Sequence, residues 1–109
     1  MAKHVLLVFS DPADGKEAEY NDWYDNIHLG EVTAIDGFVG AQRFKVSDVV
    51  PSVTSHKYLA IYELDIDDPA IAMKNLTEAT PTMRMSDAFN AATAQICMAG
   101  VVSPYLKAS

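Results

Sequence analysis

Glu19-Tyr20-Asn21-Asp22-Trp23-Tyr24-Asp25-Asn26-Ile27-His28 gathers two tyrosines, the one tryptophan, several acids and a histidine within ten residues. Read as a helix, Tyr20, Tyr24 and His28 follow one another at steps of four and fall along one stripe, with Trp23 and Ile27 beside them. A buried aromatic stripe that ends in an imidazole can line an apolar pocket with an acid–base group at one end. This helix is expected over 16–28, with Gly30 as its stop and a short extra turn over 31–35.

Upstream, residues 3–10 are a short run of Val, Leu and Phe and read as a buried-type strand. The run is too short for a secretory signal, and it meets Ser10-Asp11-Pro12 with no small-residue cleavage site. Asp11 to Gly15 is a turn cluster. Downstream, Asp36-Gly37 punctuates the chain before a second strand at 38–47. Pro51 and its Ser and Thr neighbours mark a loop at 48–55, and a third strand follows at 57–65. Asp68-Pro69 pairs an N-cap residue with proline at the first helical position and starts a helix that runs to about Glu78, before Thr80-Pro81. Met85, Ala88, Phe89 and Ala92 recur at helical spacing and predict a further short helix. A fourth strand closes the chain at 94–102.

The order β-α-β-β-α-(α)-β predicts an α+β, ferredoxin-like domain with a four-stranded antiparallel sheet. Two helices cover one sheet face. The other face carries apolar residues and needs cover, which a second copy supplies most simply, so a homodimer is expected.

The chain has 109 residues, enough for one domain with a real core. Its 8 Lys and Arg stand against 15 Asp and Glu, a formal charge of -7. That balance argues against nucleic-acid binding and against docking on anionic membranes, both of which need clustered cations. No apolar run approaches the roughly 20 residues of a membrane span. The lone Cys97 excludes an internal disulfide and fits a reducing cytoplasm, and its position between Ile96 and Met98 predicts a buried, inert thiol. His56 opens the third strand beside a polar loop and is expected to be solvated. The three histidines have no metal-ligand spacing and the five glycines no phosphate-loop pattern, so neither a metal nor another cofactor is expected.

Tyr20-Asn-Asp-Trp23-Tyr24-Asp25-x-x-His28, then Val32, Gly37-Phe38 and Arg43-Phe44, resembles the EthD-like branch of the dimeric α+β barrel superfamily. Members commonly carry a Trp-Tyr-Asp-x-x-His-x-Pro element on the first helix, a Pro-Gly-Phe turn and an Arg-aromatic pair. The motif covers about 19–44, and the strand order extends the likeness to one domain over 1–109. Gly30 and Asp36 stand where prolines are common, and both affect the exit from the helix. The superfamily includes polyketide cyclases, dehydratases, cofactor-free monooxygenases, isomerases and lyases, so the resemblance implies the fold more narrowly than the reaction.

His28 is the natural general acid–base, with Asp25 three residues earlier to orient it and Tyr24 to donate a hydrogen bond to a substrate oxygen. A second role for His28 is a cap at the helix end, where a cation suits the dipole. His4 shares a strand face with Leu6 and Val8, and the resemblance implies a pocket-facing histidine near this position; His4 is a catalytic candidate that would steady a developing oxyanion, the alternative being a half-exposed strand-end residue. Tyr58 and Tyr62 share a face of the third strand, where they form either a pocket wall with hydroxyl handles or plain packing; with Tyr20 and Trp23 they are candidate substrate contacts. Met73, Met83, Met85 and Phe89 have the character of a flexible apolar cover over a cavity, with Met85 and Phe89 as candidate substrate contacts, although ordinary gap filling explains such residues more often. Three functions follow as expectations. One is a cofactor-independent cyclase, dehydratase, isomerase or carbon–carbon lyase acting on a hydrophobic, aromatic or polyketide-like molecule. The others are a cofactor-free monooxygenase of quinol-like substrates and a non-catalytic ligand-binding dimer.

Overall fold

A computed structural model describes residues 2–109. β1 (His4–Ser10) lies inside the sheet, paired antiparallel to β3 (Tyr58–Leu64) on one side and to β4 (Gln95–Gly100) on the other. β2 (Phe38–Lys45) pairs with β3 at the edge, which gives the order β2-β3-β1-β4. This is the ferredoxin-like arrangement that the element order predicts. The strand alternation sends Leu6, Val8 and Ser10 of β1 toward the helices, along with Ala60, Tyr62 and Leu64 of β3. Several of these are fully enclosed.

The first helical region runs further than expected. It comprises α1 (Glu17–Trp23), a π-helical turn (Tyr24–His28) and α2 (Leu29–Thr33) without a break. Gly30 therefore does not stop the helix. It keeps ordinary negative φ, and the chain leaves the helix at Ala34 to turn at Gly37, whose φ is 100°. The packing of Val32, which is buried, carries the helix past the glycine. His28 consequently sits inside a helix, not at its end, and the cap role does not apply.

α3 (Pro69–Ala79) begins as expected: the Asp68 side chain accepts a hydrogen bond from the Ala70 N–H at 3.0 Å, and Pro69 takes the first helical position. A 3-10 turn, Thr80–Thr82, follows it.

The predicted helix around Met85–Ala92 is not formed; turns and an isolated bridge between Phe89 and Pro12 occupy that stretch. Its apolar spacing has another cause. Ala88 and Phe89 face the core while the backbone is tied to the β1–α1 loop, through Ala13 N–H to Ala88 O at 2.7 Å and Asn90 N–H to Asp11 O at 3.2 Å. So short a segment gains little from helix formation once its backbone has other partners.

Two further expectations are corrected. His56 is 9 % exposed, with its Nδ1 2.7 Å from Asp11 Oδ2, because the β2–β3 loop folds back over the end of β1. Cys97 is exposed: Ile96 and Met98 share the helix-side face, so the intervening residue points to the opposite one, beside Leu7. No helix among the described residues is long and apolar enough to cross a membrane.

Candidate functional site

A cavity of about 180 Å³ opens between the helices and the sheet. Its floor is Leu6, Val8, Tyr62 and Ile96, from β1, β3 and β4. Tyr24, His28 and Val32 of the first helical region form one wall, Met73 and Leu76 of α3 the other. Thr80, Met83, Met85 and Phe89 cover it. The stripe predicted from spacing thus reaches the cavity at Tyr24 and His28. The π-helical turn between them adds a residue to the local winding, a device often found at functional sites.

His28 stacks on the Trp23 indole, with centroids 4.6 Å apart and planes at 21°, and meets the edge of Tyr24 at 5.2 Å. Loss of hydration pushes its pKa below the usual histidine value, and the nearby Glu31 carboxylate pulls in the opposite direction. The ring is therefore held as the neutral base near pH 7. Its Nδ1 is buried without a hydrogen-bond partner.

Tyr24 and Tyr62 bring their hydroxyls within 3.5 Å of each other. Burial pushes the Tyr24 phenol up to about 12, and it raises the Tyr62 phenol as well. Both remain proton donors at neutral pH. The cavity therefore offers one neutral base and two phenol hydroxyls in a lining that is otherwise apolar apart from Thr80, whose hydroxyl donates to Leu76 O.

The other expected site residues lie around this cavity without lining it. Tyr20 is buried behind it and shares a 2.6 Å hydrogen bond with Ser10. Trp23 backs the imidazole, and its indole N–H donates to Arg84 O at 2.6 Å. Tyr58 points toward the start of α1 and donates to Glu17 at 2.5 Å. His4 opens β1 with its Nε2 3.4 Å from the Asp67 carbonyl and does not line the cavity.

Asp25 does not orient His28. It pairs with Arg43 at 2.8 Å, because the first helix crosses β2 with that face toward the sheet. Met85 and Phe89 do line the cavity, as do Met73 and Met83.

Two residues that bear on the site carried no role in the sequence reading. Arg43, on β2, donates to Asp25 Oδ1 and to Asn21 Oδ1, both at 2.8 Å. Its guanidinium carbon lies 4.5, 5.1 and 5.2 Å from the ring centroids of Tyr24, Tyr58 and Tyr20. It holds the aromatic stripe from behind.

Glu31 accepts the Arg84 N–H at 2.8 Å. With Trp23 taking the Arg84 carbonyl, both backbone groups of that residue are clamped and the cover over the cavity is docked. The signal for Glu31 was its place three residues after His28, legible only if the helix continues past Gly30.

Comparison with solved structures places this fold. The heme-degrading MhuD from Mycobacterium tuberculosis, with two hemes bound in its active site, is 17 % identical with a TM-score of 0.64, over 94 % of this chain and 98 % of that one. An EthD-family protein from Bacillus halodurans is 14 % identical with a TM-score of 0.57, over 94 % and 100 %. A candidate monooxygenase from Shewanella loihica is 16 % identical with a TM-score of 0.53, over 95 % and 99 %. No family model matches the sequence, and no curated protein matches it. At these identities the likeness establishes the fold alone: a ferredoxin-like α+β domain, shared with an EthD-family protein.

Proposed function

We propose that this protein is a cofactor-independent enzyme that acts on a compact, neutral, hydrophobic small molecule, aromatic or polyketide-like, with His28 as general acid–base. The observation that carries the reading is the neutral, partly buried imidazole facing an apolar cavity beside two protonated phenols. Such a base removes a proton from carbon next to a substrate carbonyl, and Tyr24, assisted by Tyr62, donates a hydrogen bond to the enolate oxygen that forms. The protonated His28 then returns the proton elsewhere on the substrate or to a leaving hydroxyl. That one exchange serves isomerisation, dehydration, cyclisation and carbon–carbon cleavage alike.

Neither Lys nor Arg lines the cavity, so the ligand has no cation to meet and is itself uncharged. Porphyrin, the ligand of MhuD, does not fit the cavity as it stands. Its volume is below the roughly 300 Å³ at which small-molecule sites usually begin, and no cation is present for the propionates.

The active unit is a homodimer joined through the outer sheet face. Val5, Leu7 and Phe9 of β1 stand there beside Leu59 and Ile61 of β3 and Phe44 of β2, an apolar surface that the helices leave uncovered.

The fold likeness to a candidate monooxygenase supports a second reading, in which the deprotonated substrate itself reacts with oxygen. One experiment separates the readings. A small molecule that copurifies is identified by mass spectrometry after denaturation and returned to apoprotein with and without oxygen. Turnover in both conditions supports proton-transfer chemistry. Turnover only with oxygen, with oxygen consumed, supports the monooxygenase. Tight binding without turnover identifies a ligand carrier.

A further inference from the structure

We propose that Glu31 is the carboxylate partner of His28, accepting the Nδ1 proton so that the Nε2 lone pair is presented to the cavity. Two complementary atoms are buried without partners one helical turn apart: His28 Nδ1 and Glu31 Oε1. Residues three apart on a helix are surface neighbours, and α2 begins directly after His28. Leaving a donor and an acceptor both unpaired in the interior is costly, and one hydrogen bond between them satisfies both.

The rest of the site leaves Glu31 as the partner. Asp25, the acid on the preceding turn, is committed to Arg43. The second oxygen of Glu31 is held by the Arg84 N–H, which fixes the carboxylate plane and leaves Oε1 free.

The groups facing the imidazole from other elements carry no charge. Tyr24 on its own helix and Tyr62 on β3 are protonated phenols, and the remaining cavity residues from β1, β4, α3 and the cover are apolar apart from Thr80. The carboxylate favours the imidazolium that desolvation otherwise disfavours. Glu31 is therefore a positioning residue: it sets the tautomer and supports the transient charge without touching substrate. Because the same carboxylate docks the cover through Arg84, the base is aligned only when the cavity is covered.

The catalytic consequence rests on the acid–base role of His28, but the pairing itself is testable without substrate. In full-length protein labelled with ¹⁵N-histidine, the His28 signals are assigned by their loss in His28→Gln. The neutral ring is expected as the Nδ1–H tautomer, the opposite of the Nε2–H form that a free neutral imidazole prefers.

Glu31→Gln keeps an acceptor for Arg84 and should lower the His28 pKa by about half a pH unit or more. Glu31→Leu should move the ring toward Nε2–H. An Nε2–H tautomer in the wild-type protein, which needs no variant, overturns the proposal. So does an unchanged His28 titration in Glu31→Gln. Full turnover by His28→Gln together with the Nδ1–H tautomer would remove the acid–base reading and leave the pair standing.

Discussion

Arg43→Met is expected to destabilise the protein by about 3 kcal/mol. The guanidinium side chain is only 10 % exposed, whereas its partner Asp25 is 56 % exposed, so the ion pair itself contributes about 0.5 kcal/mol. The charge-assisted bond to Asn21 contributes about 1.5 kcal/mol, and the enclosed stack over three tyrosine rings about 2 kcal/mol. Against these, removing the buried and unpartnered Nε returns about 1 kcal/mol. Methionine keeps much of the volume and lets the rings close around an apolar stem. The assay is urea unfolding at fixed protomer concentration, because association shifts apparent stability. A melting temperature lower by roughly 10–20 °C should accompany the change. Asp25→Asn is the internal control, with a loss of about 0.5 kcal/mol. An Arg43→Met loss below about 1 kcal/mol would refute the claim that this cation holds the aromatic stripe in place.

Gly37→Ala should cost about 2 kcal/mol in the same assay, since φ is 100° and the new Cβ would meet Ile66 at 3.2 Å and Ala72 at 3.3 Å. Burial lowers the His28 pKa in the folded state, so its contribution to stability is full above pH 6.5 and is lost as pH falls from there toward the folded value. Urea midpoints measured across pH 5–7.5 should therefore decline more steeply for wild type than for His28→Gln. Light scattering should give a species of twice 11.9 kDa, and Leu7→Glu, which puts a charge on the outer sheet face, should return it to a protomer.

The fold was legible because its determinants are local. Alternation in β1 and β3, the Asp68-Pro69 start of α3 and the punctuation at Asp36-Gly37 each act within a few residues. The longer helix was missed because glycine weakens a helix without forbidding it, and the burial of Val32 outweighs that cost. Met85, Ala88, Phe89 and Ala92 have helical spacing, yet the backbone of that stretch bonds to the β1–α1 loop, a partner 75 or so residues distant. A long-range partner also hid the burial of His56, which depends on Asp11, 45 residues earlier. Cys97 is different: alternation with Ile96 and Met98 already put it on the opposite face, and the exposure was there to be read. At the site, spacing identified the Tyr24–His28 wall but not what surrounds it. Arg43 and Asp25 meet only through the crossing of the first helix over β2, and Glu31 needed the helix to run on past Gly30.

The direct test of the central claim is the steady-state rate of His28→Gln on the substrate recovered from the wild-type protein, with its melting temperature measured alongside. A positioned acid–base group contributes about 10²–10⁴-fold. The account predicts a kcat loss in that range, a smaller loss for Tyr24→Phe, and a His28→Gln melting temperature within a few degrees of wild type. Undiminished kcat in His28→Gln would contradict it and make the imidazole a packing element of the cavity wall.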